Sequence, residues 1–161
     1  MNAIGVVKTG LTSTQSILEQ YLGDLSDADL LERPVPNANH IAWQLGHLIE
    51  AEAIHIGKAI PGAVYPSLPP GFEEQHGKDK ATENPPRGFL SKKEYLSLFK
   101  QVRAATMAAA DKLTEADLDK ATGLSWAPTV GALLVLTATH TLMHGGQFTV
   151  VRRKLGKPNV M

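Results

Sequence analysis

The sequence contains no cysteine. This absence excludes disulfide bonds, and it also excludes a cysteine nucleophile and any metal site built on thiolates. A metal site in this chain must therefore use histidine and carboxylate ligands.

The sequence also lacks an excess of charge of either sign, because 16 Lys and Arg residues balance 16 Asp and Glu residues. No basic stripe stands out, which argues against a nucleic acid as the partner. The short basic cluster near the C-terminus, at residues 152–157, lies at the end of a predicted helix. Cations are favoured there in any case by the helix dipole.

No apolar run reaches the length of a membrane span. The N-terminus has neither the cationic start nor the continuous apolar core of a signal peptide. We therefore expect a cytoplasmic protein with no membrane partner. The 161 residues, of which 43% are hydrophobic and 20% charged, are expected to form one domain over residues 1–161.

Apolar residues recur at helical spacing in several long segments. The first covers residues 8–23 and the second residues 37–57, where Asn37 or Asn39 suits the N-cap. The next opens with the capping box that begins at Ser91. Together with a C-terminal segment, these predict an all-α four-helix bundle with no convincing strand.

The last predicted helix starts at Pro128 or Thr129 and runs to about Leu155, where Gly156 and then Pro158 stop it. Between the second and third helices, residues 60–90 are rich in proline and glycine and show no regular period. We expect this stretch to be a long crossover loop that covers a site.

His140 and His144 are the most informative pair in the chain. Their spacing of four places both imidazoles on one face of the last helix, one turn apart. The segment around them is otherwise apolar, which is typical of a buried helix. Two buried imidazoles need partners. A metal ion is one explanation, and hydrogen bonds from two core histidines to carbonyls or hydroxyls are the other.

The second helix supplies further histidines. His47 lies mid-helix in apolar surroundings, which makes it the natural third ligand for His140 and His144. His40 precedes it by seven residues, roughly 10 Å along the helix axis, too far to share the same ion. We expect His40 near the mouth of the site, in contact with a cofactor, substrate or solvent. His55 and His76 are expected to be structural or on the surface.

A metal held by three neutral imidazoles keeps positions open for water or substrate, which is the layout of a catalytic site. Such an ion lowers the pKa of bound water or thiol. Gln147, one turn past His144, is a candidate to bond a ligand. Glu50, one turn past His47, is a candidate base or orienting group, although a salt bridge is the alternative role for a helical glutamate.

Two motifs resemble the signatures of a known family. Residues 39–52, Asn-His-Ile-Ala-Trp-Gln-Leu-Gly-His-Leu-Ile-Glu-Ala-Glu, resemble the second-helix signature of the DinB-like (DinB/YfiT-like) superfamily of metalloenzymes. Residues 139–147, Thr-His-Thr-Leu-Met-His-Gly-Gly-Gln, followed by the basic residues 152–154, resemble its last-helix signature. The order and separation of the motifs also match, so the resemblance spans nearly the whole chain.

The resemblance implies a four-helix bundle with an up-down-down-up arrangement and a divalent metal, commonly nickel or zinc. Its three ligands correspond to His47, His140 and His144. The resemblance also implies a homodimer, and it implies a structural role for Glu52, which follows His47 by five residues.

Members of the family with known activity resemble transferases and isomerases that use low-molecular-weight thiols such as bacillithiol or mycothiol. We therefore expect a metal-dependent enzyme that activates a thiol or water for transfer to a small electrophilic substrate. Arg152 is a candidate to bind a carboxylate of a thiol cofactor, but a helix C-terminal cation explains it equally well. The alternatives are a metal-dependent hydrolase and a non-catalytic metal-binding stress-response protein.

Overall fold

The computed structural model describes residues 1–83, 88–158 and 160. Four long helices and one short helix account for most of this part of the chain. They are α1 (Ala3–Leu22), α2 (Ile41–Ala59), α3 (Phe72–His76), α4 (Lys92–Ala110) and α5 (Val130–Lys154). None of the described helices is both long and apolar enough to cross a membrane.

Contacts between pairs of helices show in which direction each helix runs. Gly10 of α1 lies against Ala138 of α5, and Tyr21 accepts a hydrogen bond from Arg152 further along both helices, so α1 and α5 run parallel. Lys92 at the start of α4 donates to the carbonyl of Leu22 at the end of α1, so these two helices are antiparallel.

Helix α2 runs opposite to α5, because Gln44 near the start of α2 contacts His144 in the second half of α5. At the other end of α2, His55 packs against Trp126, which precedes α5. Helices α1 and α5 therefore run one way and α2 and α4 the other. This confirms the predicted four-helix bundle with its up-down-down-up arrangement.

A buried ion pair ties all four long helices together. Arg103 of α4 donates from Nε to Glu52 Oε1 and from Nη2 to Glu52 Oε2, both at 2.9 Å, and both side chains are almost completely buried. The same guanidinium donates to the Leu11 carbonyl of α1 at 2.6 Å and to the Thr141 hydroxyl of α5 at 2.9 Å. Because its hydrogen-bonding groups are satisfied, the pair offsets its desolvation cost.

Several helix ends are as predicted. Ser91 and Glu94 form the expected capping box of α4. Thr129, predicted as a possible first residue of the last helix, is instead its N-cap, and α5 begins at Val130. Gly156 has a φ of +67°, the left-handed conformation that favours glycine after a helix.

Other local predictions are wrong. His40, not Asn37 or Asn39, caps α2, and its Nδ1 accepts from the Trp43 amide at 3.0 Å. Two short antiparallel strands, β1 (Ala121–Leu124) and β2 (Ala127–Thr129), form a hairpin where no strand was predicted. These strands are too short to show a period of two.

The crossover, predicted as a loop, holds α3 and a 3₁₀ turn, Lys78–Lys80. Residues 84–87, including the second proline-rich stretch, lie outside the described part of the chain. The described part of the crossover packs against the bundle.

His76 anchors the crossover to the bundle. Its Nδ1–H donates to the Phe72 carbonyl at 2.8 Å, so its Nε2 accepts from the Tyr95 hydroxyl, also at 2.8 Å. The ring lies directly on Gly46 of α2, where an added Cβ would be 2.0 Å from His76 Cδ2. A glycine is therefore required at position 46 for this close approach. His76 has the structural role expected from the sequence.

Candidate metal centre

Three histidines from two antiparallel helices converge inside the bundle. Ring nitrogens of His47, His140 and His144 all lie within 4.8 Å of one another. His140 Nε2 and His144 Nε2 are 3.1 Å apart, one turn from each other on α5. The His47 ring approaches both from α2, with ring centroids 5.3 and 5.6 Å away.

The side chain of Gln44 sets the orientation and tautomer of His144. Gln44 Oε1 accepts a hydrogen bond from His144 Nδ1 at 2.7 Å, while the Gln44 amide donates to the Asn39 carbonyl at 2.9 Å. The Asn39 contact fixes which end of the amide is the oxygen. His144 Nδ1 therefore carries the proton, and the lone pair of its Nε2 points toward the other two histidines.

Trp43 orients His47 from one turn earlier on α2. The two rings are stacked, with centroids 5.0 Å apart and planes within 5° of parallel. This spacing of four residues places both side chains on one helix face. The imidazole of His47 is thus held by packing, as that of His144 is held by hydrogen bonding.

Burial keeps all three imidazoles neutral. It lowers the pKa of His47 to about 4 and that of His144 to about 3, and it also lowers the pKa of His140. The charge that a neighbouring histidine carries when protonated also lowers the pKa of His47 and of His144. Metal ligation requires neutral imidazole, so the site needs no proton release at neutral pH.

A cavity of about 500 Å³ adjoins the three histidines. Its apolar walls include Trp43, Trp126, Leu133, Leu136 and Met143. The chain has two tryptophans, and both line this space. A cavity of this size accommodates a small molecule beside the histidines.

The two residues predicted as catalytic lie elsewhere. Glu50 is absent from the cavity wall. Its Oε2 is buried with no hydrogen-bond partner among the described residues, and burial raises the pKa of Glu50 to about 7, with Glu73 adding to the effect. Gln147 is exposed on α5 and also absent from the wall.

The two residues predicted to bind a cofactor have partners in the fold. His40 caps α2, its ring packs edge-on against Phe89 with centroids 4.5 Å apart, and it does not line the cavity. Arg152 donates to both carboxylate oxygens of Asp24 and, at 2.9 Å, to the Pro158 carbonyl. The guanidinium of Arg152 thus joins the C-terminal turn to the end of α1.

The donor set fits a divalent metal. Three neutral imidazoles suit borderline ions such as zinc and nickel, and a three-ligand group leaves positions for other ligands. The distance of 3.1 Å between His140 Nε2 and His144 Nε2 fits a hydrogen bond between two neutral rings, and it also brings both nitrogens close enough to share one cation. The group could therefore hold a metal ion.

The roles of Gln44 and Trp43 in orienting these histidines were not predicted from the sequence. Gln44 and Trp43 precede His47 by three and four residues, a helical spacing that could have identified both. Lys78 and Trp126 also line the cavity, but they lie on the crossover and on the hairpin. No periodicity links those two residues to the histidines.

His40 and His76 predict a loss of stability in acid. Burial lowers the pKa of each to about 4, from about 6.5 in the unfolded chain. Because the folded pKa is the lower one, their contribution to stability is fully present above pH 6.5 and is lost as pH falls toward 4. Each group adds a slope of up to about 1.4 kcal/mol per pH unit in that range.

Urea unfolding of the metal-free protein at pH values from 7 to 4 measures the total slope. His47 and His144 add to this slope in the same direction, and Glu50, whose pKa is raised, adds in the opposite direction. His40→Asn keeps an N-cap acceptor but does not titrate, so this variant should show a shallower decline. Equal slopes for the wild-type protein and His40→Asn would contradict the assigned neutral state of the His40 ring.

Comparisons with known proteins agree with this architecture. The structure is similar to the crystal structure of a conserved protein from Enterococcus faecalis, with a TM-score of 0.72 and 16% sequence identity. The alignment covers 98% of this chain and 99% of that one, and at this identity it concerns the fold alone. No curated protein sequence matches the chain.

The model of the DinB superfamily matches residues 11–148. This range contains α2 and α4 completely, parts of α1 and α5, and the three converging histidines. The resemblance stated from the two histidine motifs is thereby confirmed, and the chain belongs to the DinB superfamily.

Proposed function

We propose that this protein is a metal-dependent enzyme that transfers a low-molecular-weight thiol, or water, to a small electrophilic substrate. The observation that carries the proposal is the position of His47, His140 and His144 beside a cavity large enough for a small molecule. A structural metal site would be closed by a fourth protein ligand. Among the described residues, the group of potential ligands contains only these three histidines.

The surroundings suit the chemistry expected of such an ion. When bound, a divalent metal supplies a Lewis acid that favours the thiolate form of a thiol or lowers the pKa of water. Gln44 and Trp43 fix two of the three imidazoles, so that little reorganisation accompanies binding. The apolar side chains of the cavity wall lower the local dielectric constant, which strengthens electrostatic interactions beside them.

Thiol transfer is better supported than hydrolysis. Glu52 lines the cavity, but both of its oxygens accept from Arg103, so it is not a free base. Glu50, the base predicted from the sequence, is outside the wall. A thiol nucleophile activated by an ion needs no carboxylate, whereas hydrolysis of an ester or amide also needs a proton for the leaving group.

Thiol-dependent turnover tests the proposal. The purified protein, loaded with zinc or nickel and checked by elemental analysis, is assayed with 1-chloro-2,4-dinitrobenzene and a panel of bacillithiol, mycothiol and glutathione. Metal-dependent turnover above the uncatalysed rate with at least one thiol is expected. Turnover of ester reporters without thiol would favour the hydrolase. Stoichiometric metal without any turnover would favour a non-catalytic metal-binding protein.

We also propose that the protein is a homodimer in the cytoplasm. Helix α5 exposes three apolar side chains outside the cavity wall, Val135, Leu142 and Val150, by 43 to 51%. A second copy is the natural cover for these side chains. Light scattering should report twice the mass of one chain, and the double variant L142K/V150K should report the single mass. An undiluted wild-type sample with the mass of one chain would contradict the dimer.

A further inference from the structure

A lysine side chain places a positive charge in the cavity wall. Lys78, from the 3₁₀ turn that follows α3, forms part of the wall beside the histidines. Its ammonium group is near enough to contribute to the lowered pKa of His47, His140 and His55. In the described part of the chain no carboxylate forms an ion pair with Lys78, whereas its neighbour Lys80 pairs with Glu83 at 3.0 Å.

Among the described residues of the wall, no free negative charge balances Lys78. Glu52 is the one acidic residue among the described wall residues, and Arg103 neutralises it with a two-pronged ion pair. The remaining polar wall groups are histidines, threonines and Asn39. An ion on the histidines would add further positive charge. The cavity therefore presents a positive field to its contents.

The position of Lys78 is set by the fold. His76, two residues earlier, is fully buried, is bonded to Phe72 and Tyr95, and packs on Gly46 next to His47. Trp43 Nε1 also donates to the Gly77 carbonyl at 3.3 Å, which links the residue before Lys78 to the tryptophan that stacks on His47. The backbone that carries Lys78 is thus fixed relative to the metal ligands.

An exposed aromatic ring gives another part of the cavity wall an apolar surface. Trp126, in the turn between β1 and β2, is 51% exposed, yet it lines the cavity and packs edge-on against His55 at 4.9 Å between centroids. A tryptophan held at a cavity wall with half its surface in solvent offers a flat face for a ligand. Leu136 and Met143, also partly exposed, continue the apolar wall.

We propose that this cavity binds a small organic anion, a carboxylate carried on an apolar, planar body, with Lys78 as the counter-charge and Trp126 as the stacking face. This proposal rests on the proposed function in one respect, because both assign the same cavity to the substrate. Lys78 is a specificity-determining residue here, because it acts on the charged end of the ligand and not on the reacting atoms.

Two ligands of similar shape but different charge test the proposal by direct binding. Calorimetry compares 3-phenylpropionate with the neutral 3-phenylpropionamide, using protein loaded with zinc and, in parallel, metal-free protein. The carboxylate should bind about tenfold more tightly than the amide to the loaded protein. In the metal-free protein, where the ion makes no contribution, a preference for the carboxylate should remain.

Lysine variants identify the source of that preference. In metal-free Lys78→Met the ratio of the two affinities should fall to within about twofold of unity, while Lys80→Met, on the same turn, should keep the wild-type ratio. Added salt should weaken the preference of the wild-type protein and leave Lys78→Met unchanged. Trp126→Ala should weaken carboxylate and amide alike, because both share the apolar body.

The results separate this inference from the proposed function. Selective binding of the carboxylate without thiol-dependent turnover would support the anion site and contradict the transferase. Turnover together with equal affinity for both ligands, or with a preference that survives Lys78→Met, would overturn the anion site. The absence of measurable binding of either ligand to the zinc-loaded protein would also overturn it.

Discussion

His144→Ala is expected to abolish stoichiometric metal binding. His144 is buried, its Nε2 faces His140 at 3.1 Å, and its tautomer is fixed by Gln44. Removing a partner that only orients a ligand costs about 10- to 100-fold in metal affinity, so removing the ligand itself should cost more than about 100-fold. Elemental analysis after dialysis against a metal buffer, supported by titration, measures the loss.

Further variants compare how much each side chain contributes to metal affinity. Gln44→Ala should weaken metal binding by about 10- to 100-fold, because it frees the His144 ring without deleting it. His55→Ala, which removes a histidine from the same cavity outside the three-histidine group, should retain full occupancy. Circular dichroism verifies folding, and His47→Ala provides a less buried ligand variant if His144→Ala unfolds. Full metal occupancy in folded His144→Ala would show that His144 is not a ligand.

Arg103→Met is expected to destabilise the fold by about 3 to 5 kcal/mol. The substitution leaves the Glu52 carboxylate buried without its counter-ion, and it also removes hydrogen bonds to Leu11 and Thr141. Loss of this size is a large part of the total stability of a domain of this length. Urea unfolding monitored by circular dichroism gives the free energy of unfolding directly.

A double variant separates the isolated charge from the loss of the pair. Glu52→Leu combined with Arg103→Met replaces both ions with apolar groups, and it should recover much of the stability lost in the single variant. A surface ion pair serves as the control. Lys100→Met removes an exposed pair with Glu19 and should lower the free energy of unfolding by at most about 1 kcal/mol. A single variant Arg103→Met as stable as Lys100→Met would contradict the central role of the buried pair.

The bundle was predictable because its signals are local and periodic. The apolar stripes of the long helices, the Ser91 capping box and the start of the last helix near Thr129 all depend on residues within one or two turns of each other. The convergence of His47 with His140 and His144 was likewise expected from helix spacing and from the family motifs. Their role as metal ligands stays a prediction, as do the roles first assigned to Glu50, Gln147, His40 and Arg152.

Features that depend on contacts distant in sequence were not predictable. The hairpin of β1 and β2 has three or four residues in each strand, which is too few to reveal alternation. His40 replaced the better N-cap candidates because its ring is also buried against Phe89, some fifty residues away. The position of Lys78 at the cavity depends on the docking of His76, which no local pattern in residues 60–90 indicates.

Because His76 packs directly on Gly46, the sizes of the residues at these two positions depend on each other. Any β-carbon at position 46 overlaps the imidazole at position 76. Relatives with a bulkier residue at the first position should therefore carry a smaller one at the second, and their crossover should take another path. In such relatives a lysine aligned with Lys78 would no longer mark the substrate pocket, so the pair at 46 and 76 tells which sequences share this ligand preference.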